Sequence, residues 1–136
     1  GCEDDMKTTV MQAVKAYLAA DEMSRQDLPY DLALALVKVK QATRTEMEAY
    51  AAAEKKLVER YAALDEAGNV TIRNGRFTFR DPAAAAEYEA ERQKLGQTQT
   101  EVSLPRLTAT PPEHITPAAL EALADFIKFR EGGKRA

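Results

Sequence analysis

Residues 29–64 constrain the chain more than any other stretch. Met47, Tyr50, Ala53, Leu57, Tyr61 and Leu64 recur three and four residues apart, which puts them on one face of an α-helix. Leu36 and Val39 carry that face toward the N-terminus. The two halves meet at Lys40-Gln41-Ala42-Thr43-Arg44-Thr45-Glu46, an almost wholly polar waist. No proline or glycine interrupts the run after Pro29. The sequence therefore predicts one helix of roughly 50 Å at 1.5 Å per residue. A compact chain of this size has a radius of gyration of about 14 Å and a diameter of roughly 35–40 Å. Such a helix must project, bend or pair with something else.

The 136 residues suit a single domain, 1–136, that needs no disulfide or metal staple. Residues 1–5 and 130–136 are expected to be flexible termini. A net charge of −3 and a pI near 5.3 give no global pull toward nucleic acid or an anionic membrane. No apolar run approaches the roughly 20 residues of a membrane span. The single cysteine, Cys2, cannot form an internal disulfide, which points to a reducing compartment. Gly1-Cys2 before Glu3-Asp4-Asp5 also resembles the start of a processed bacterial lipoprotein, with Cys2 as the lipid anchor. The plainer reading is a terminal thiol.

In chain order, residues 6–20 predict a short helix with Val10, Met11, Val14, Tyr17 and Leu18 on one face. Pro29 suits the start of the long helix and Gly68 its stop. Asn74-Gly75 between two alternating runs predicts a two-residue type I′ hairpin over residues 70–79. Its register pairs Arg73 with Arg76, Ile72 with Phe77, Thr71 with Thr78 and Val70 with Phe79. Val70, Ile72, Phe77 and Phe79 then form a dry face, with Ile72 and Phe77 buried against the long helix. Asp81-Pro82 caps a third helix, residues 83–95, with a thin face of Ala84, Ala85, Tyr88 and Leu95 and a stop at Gly96. Residues 101–107 predict a strand, at an edge because of Pro105. Thr116-Pro117 starts a last helix, with Leu120, Leu123, Phe126 and Ile127 facing inward. The fold expected is α+β: one long helix, three shorter ones, and a small antiparallel sheet of about three strands built from the hairpin and the strand near 101–107.

Catalytic chemistry finds little to work with. His114, in a proline-flanked loop, is the one histidine, and no serine or cysteine context marks a nucleophile for it to activate. One imidazole and a terminal thiol do not make a zinc site. No glycine-rich phosphate loop is present. The carboxylates fall at spacings of solvated helix faces. No catalytic residue, metal or cofactor is expected. The sharpest candidates are Arg73, Arg76 and Arg80 on the wet hairpin face. Arginines paired directly across a turn repel, a cost relieved by acidic neighbours or by a partner. They read either as a contact for phosphate or an acidic protein, or as a solvated face that protects a strand edge.

Beyond these local readings, the element order resembles a group of small phage and prophage proteins of unknown function. The likeness spans about residues 29–129. It rests on the long charged helix with Glu54-Lys55-Lys56-Leu57-Val58-Glu59-Arg60-Tyr61, on Asp65-Glu66-Ala67-Gly68-Asn69-Val70, on the hairpin and short helix, on Glu101-Val102-Ser103-Leu104, and on Ile115-Thr116-Pro117. It implies a bacterial cytoplasm or a virion, a part in particle assembly, and no functional residues. The function expected is a non-enzymatic protein–protein interaction or assembly protein, binding an acidic protein through Arg73, Arg76 and Arg80. A homodimer is expected through the long helix, with Leu32, Leu36 and Val39 as its interface. The alternative is a small nucleic-acid-binding regulator that uses the basic hairpin face.

Overall fold

The computed structural model describes residues 3–131. It is an α+β arrangement of four helices and short strands, ordered along one long helix. That helix, α2 (Tyr30–Tyr61), runs unbroken for 32 residues, or about 48 Å. It ends at Tyr61 rather than Leu64, because Ala62 is already extended (φ −77°, ψ 153°) and residues 61–65 are committed to strand pairing. Gly68 (φ +86°) therefore sits in the following turn and does not stop the helix. There Asp65 accepts hydrogen bonds from the backbone N–H groups of Ala67 and Asn69.

Two hydrophobic clusters hang on the two halves of α2. The larger, the body, gathers around Leu32, Leu36 and Val39, each 0% exposed. α1 (Val10–Met23) covers that face, and β4 (Gln99–Pro105), β5 (Leu107–Ala109) and α4 (Pro117–Leu123) complete the cluster with Val102, Leu104, Leu107 and Leu123. The smaller, the arm, joins Leu57 and Tyr61 of α2 to Ala84 and Tyr88 of α3 (Pro82–Gly96). The polar waist lies between them. Thr43 is buried there because its hydroxyl donates to the Val39 carbonyl at 2.8 Å, which satisfies it within its own helix. α3 returns to the body through Gly96, where an added Cβ would lie 3.2 Å from the Met11 side chain. This glycine permits close approach of α1 and is the last helical residue.

Three expectations about the strands change. First, the chain opens not with a helix from residue 6 but with β1 (Glu3–Thr9), paired antiparallel to β4 from Glu3↔Pro105 to Thr9↔Gln99. α1 starts only at Val10, where Thr9 and Gln12 form a reciprocal capping box. Second, no single three-stranded sheet forms among the described residues. β1–β4, β2 (Ile72–Arg73) with β3 (Arg76–Phe77), and β5 with β6 (Ile127–Phe129) are separate two-stranded sheets, the last one parallel. Third, α4 stops at Leu123, since Ile127 pairs with Leu107 instead of continuing the helix. Leu123, Phe126 and Ile127 are buried as expected, but Leu120 is 43% exposed. The caps at Asp81 and Thr116 accept from Ala84 N–H and Ala119 N–H as the sequence predicts.

The expected flexible ends are only partly within view. Gly1, Cys2 and residues 132–136 lie outside the described residues, so the lipid-anchor reading of Cys2 does too. Residues 3–5 belong to β1. Arg130 is tied three times: its N–H donates to the Ala109 carbonyl, and its guanidinium to Asp31 and to the Thr110 hydroxyl. Asp31 also accepts from the Thr110 hydroxyl at 2.8 Å and the Thr110 N–H at 2.9 Å. This latch ties the end of β6 to the first turn of α2. Thr110 hydroxyl and backbone donors first, then Arg130, hold the Asp31 carboxyl down at about 2. A carboxylate with a depressed folded pKa contributes stability above its unfolded value near 3.8 and loses it as pH falls through about 2. Urea midpoints of the wild type should therefore fall between pH 4 and pH 2 more steeply than those of Asp31→Asn. Parallel curves for the two proteins would show that the latch carries no acid-linked stability.

Candidate interaction site

The arm ends in a flap whose geometry follows from hydrogen bonding along residues 61–65. Ala63 N–H donates to the Thr78 carbonyl at 2.7 Å, and Arg80 N–H donates to the Tyr61 carbonyl at 3.1 Å. Thr71 N–H donates to the Ala63 carbonyl at 2.9 Å, and Asp65 N–H to the Asn69 carbonyl at 2.8 Å. In a strand, residues two apart turn their backbone groups to the same edge. Tyr61, Ala63 and Asp65 thus present one edge, and the two hairpin arms dock on it end to end. Phe79 pairs with Ala62 and Val70 with Leu64, replacing the expected Val70–Phe79 and Thr71–Thr78 pairs. Only Ile72↔Phe77 and Arg73↔Arg76 remain as hairpin pairs. The turn itself is as the sequence predicts, with Asn74 (φ 52°) and Gly75 (φ 75°) both left-handed.

The flap's footing is aromatic. Phe77 and Phe79 meet edge to face with centroids 5.0 Å apart, and Tyr88 of α3 lies 5.6 Å from Phe77 and 5.2 Å from Phe79. Such pairs add roughly 0.5–1.5 kcal/mol each beyond area burial. Tyr61 packs beneath and is flanked by two guanidinium groups, Arg60 at 5.8 Å and Arg80 at 5.9 Å from the ring centroid. Behind this footing, Glu54 accepts from Arg92 Nε at 2.9 Å and from the Tyr50 hydroxyl at 3.2 Å, tying α3 to α2. Burial, with the nearby Glu54 charge, raises the Tyr50 and Tyr88 hydroxyl pKa values. Both phenols therefore stay protonated near neutrality, and the network reads as structural.

The dry hairpin face is only half realised. Phe77 and Phe79 pack on the arm, but Ile72 is 60% exposed and Leu64 is 50% exposed. Ile72 lies past Thr71, the last residue of its arm hydrogen-bonded to the 61–65 edge, whereas its partner Phe77 lies against Phe79 and Tyr88. Ile72 is therefore not buried against α2, which corrects the expectation. Of the three arginines, Arg80 lies at the base over Tyr61, while Arg73 and Arg76 flank the exposed tip. The structure thus splits the expected set into one footing residue and two tip residues. Among the described residues no carboxylate forms an ion pair with Arg73 or Arg76. Their planar, multi-donor groups are suited to carboxylates or phosphates.

Leu32, Leu36 and Val39 cannot serve as an oligomer interface, because α1 and the strands of the body enclose them completely. The opposite face of α2 was missed: Tyr30, Leu34 and Val37 are 81%, 40% and 46% exposed. Their four-and-three spacing is as regular as that of the buried face. A second feature without a local signal is a groove of about 540 Å³ between α1 and α4. His114 is exposed in its loop. Among the described residues, no group of three or more His, Cys, Asp or Glu side chains is placed to hold a metal ion. No described helix is long and apolar enough to cross a membrane. No family model, curated protein or solved structure matches the chain.

Proposed function

We propose that this is a non-enzymatic protein–protein interaction or assembly protein of a phage or prophage, acting in the bacterial cytoplasm or the virion, and that the flap is its contact element. The observation that carries this reading is the composition of the tip. Ile72 offers exposed apolar surface on one face of the tip, and Arg73 and Arg76, which make no ion pair among the described residues, stand on the other; exposed apolar surface with arginine close by is what interaction hot spots are made of. An acidic protein surface is the partner that satisfies those charges. Self-association belongs to the same proposal, through a surface other than Leu32, Leu36 and Val39.

The competing use of the same arginines is a nucleic-acid contact. The net negative charge of the chain and the acidic pair Asp65-Glu66 in the turn beside the flap repel any acidic partner, and a duplex, with one charge about every 1.7 Å, more than a protein surface. Parallel titrations of the wild type with a glutamate-rich peptide and with random duplex DNA discriminate the two. Peptide binding with DNA binding absent at moderate salt is the expected result. Tight DNA binding that falls steeply and log-linearly with salt would instead establish the regulator.

A further inference from the structure

We infer that the acidic surface which receives the flap is the α1–α4 groove of a second copy of this chain, so that copies join head to tail. This rests on the flap being the contact element, and adds what it contacts. The groove floor is apolar: Leu18, 49% exposed, with Ala19, Ala119, Ala122 and the ring of Phe126. The rim carries Glu22, Glu121 and Asp125 against one cation, Lys15. The flap tip carries both complements on opposite faces of its hairpin, Ile72 exposed on one and Arg73 and Arg76 on the other. Entering end-on, the tip would set Ile72 against the alanine-lined floor and its two guanidinium groups against the rim carboxylates.

One copy cannot satisfy itself. The groove belongs to the body, where α1 and α4 pack around the N-terminal half of α2, whereas the flap stands on the arm at the other end of a helix of 32 residues. Joining tip to groove is therefore a contact between two different surfaces. Such an interface generates a ring if the rotation between copies closes and a filament if it does not. Exposed ion pairs at its rim are screened by salt.

Sedimentation velocity of four samples tests this. The samples are wild type, Arg73→Glu with Arg76→Glu, Glu121→Arg with Asp125→Arg, and an equimolar mixture of the two double variants. The wild type should exceed the 15.0 kDa monomer increasingly with concentration, and added salt should reverse this. Each double variant alone places like charges at the contact and should weaken association by more than about tenfold. The mixture should restore it, because the acidic tip of one variant then meets the basic groove of the other, while the native tip meets the native groove. A folded wild type that stays monomeric throughout, or a mixture that stays as monomeric as its components, overturns the inference. If that happens while the wild type still binds the glutamate-rich peptide and the tip variant does not, the flap remains the contact element and only its occupant was wrong. If peptide binding is also unchanged in the tip variant, the contact reading fails as well.

Discussion

Leu36→Ala should lower the unfolding free energy by about 2–5 kcal/mol, measured by urea titration. Leu36 is fully enclosed, at the meeting of α1, α2 and the strands of the body. Removing most of its side chain therefore forfeits both the transfer free energy and the contacts of the space left behind. The range reflects how far the body can collapse into that space. Several neighbours are stiff: Val39 and Val102 are β-branched, and β4 is fixed by seven pairs to β1. This places the expected value in the upper part of the range. The same substitution separates two accounts of α2. If Leu36 lay in an interface between copies, Leu36→Ala would change the oligomer and leave the stability of the monomer almost untouched. A loss below about 1 kcal/mol would mean that the body does not close over α2 as described.

Much of the architecture was legible where it depends on local chemistry. Asn74-Gly75 admits few backbone shapes other than the type I′ turn, and Asp81-Pro82 and Thr116-Pro117 each combine a cap with a preset φ. The long helix was legible because nothing within it breaks a helix. The apolar face read from the spacing, with Leu36, Val39, Tyr50, Leu57 and Tyr61, is the face that is buried. What covers its N-terminal half was not legible. α1 takes the place expected for a second copy, which is a matter of packing between distant segments.

The strands failed for a related reason. β1 reads Glu-Asp-Asp-Met-Lys-Thr-Thr, with little apolar alternation, and becomes a strand because β4 supplies a full ladder from the far end of the chain. A local clue did exist: Thr9 followed three residues later by Gln12 is a capping-box pattern, and it would have moved the start of α1 to Val10. The flap's placement depends on pairing with residues 61–65, so nothing within 70–79 reveals that Ile72 stays exposed. The candidate arginines were found from the turn register. Their division into tip and footing follows from that same docking, through the Arg80–Tyr61 contact.

Reversing the two tip arginines should separate binding from folding. Arg73 and Arg76 are exposed, opposed across the turn, and make no ion pair among the described residues. Exposed substitutions of this kind usually change stability by less than about 0.5 kcal/mol. Losing two charge-assisted contacts and gaining repulsion should nevertheless weaken binding to an acidic surface by at least about a hundredfold. Arg80 is left in place because its ring contact supports the flap, and its loss would mix the two effects. The deciding measurement is the affinity of Arg73→Glu with Arg76→Glu for a fluorescent glutamate-rich peptide, alongside its urea midpoint. A lost affinity at an unchanged midpoint is the result expected if the flap is the contact element. An unchanged affinity in a folded variant would contradict it.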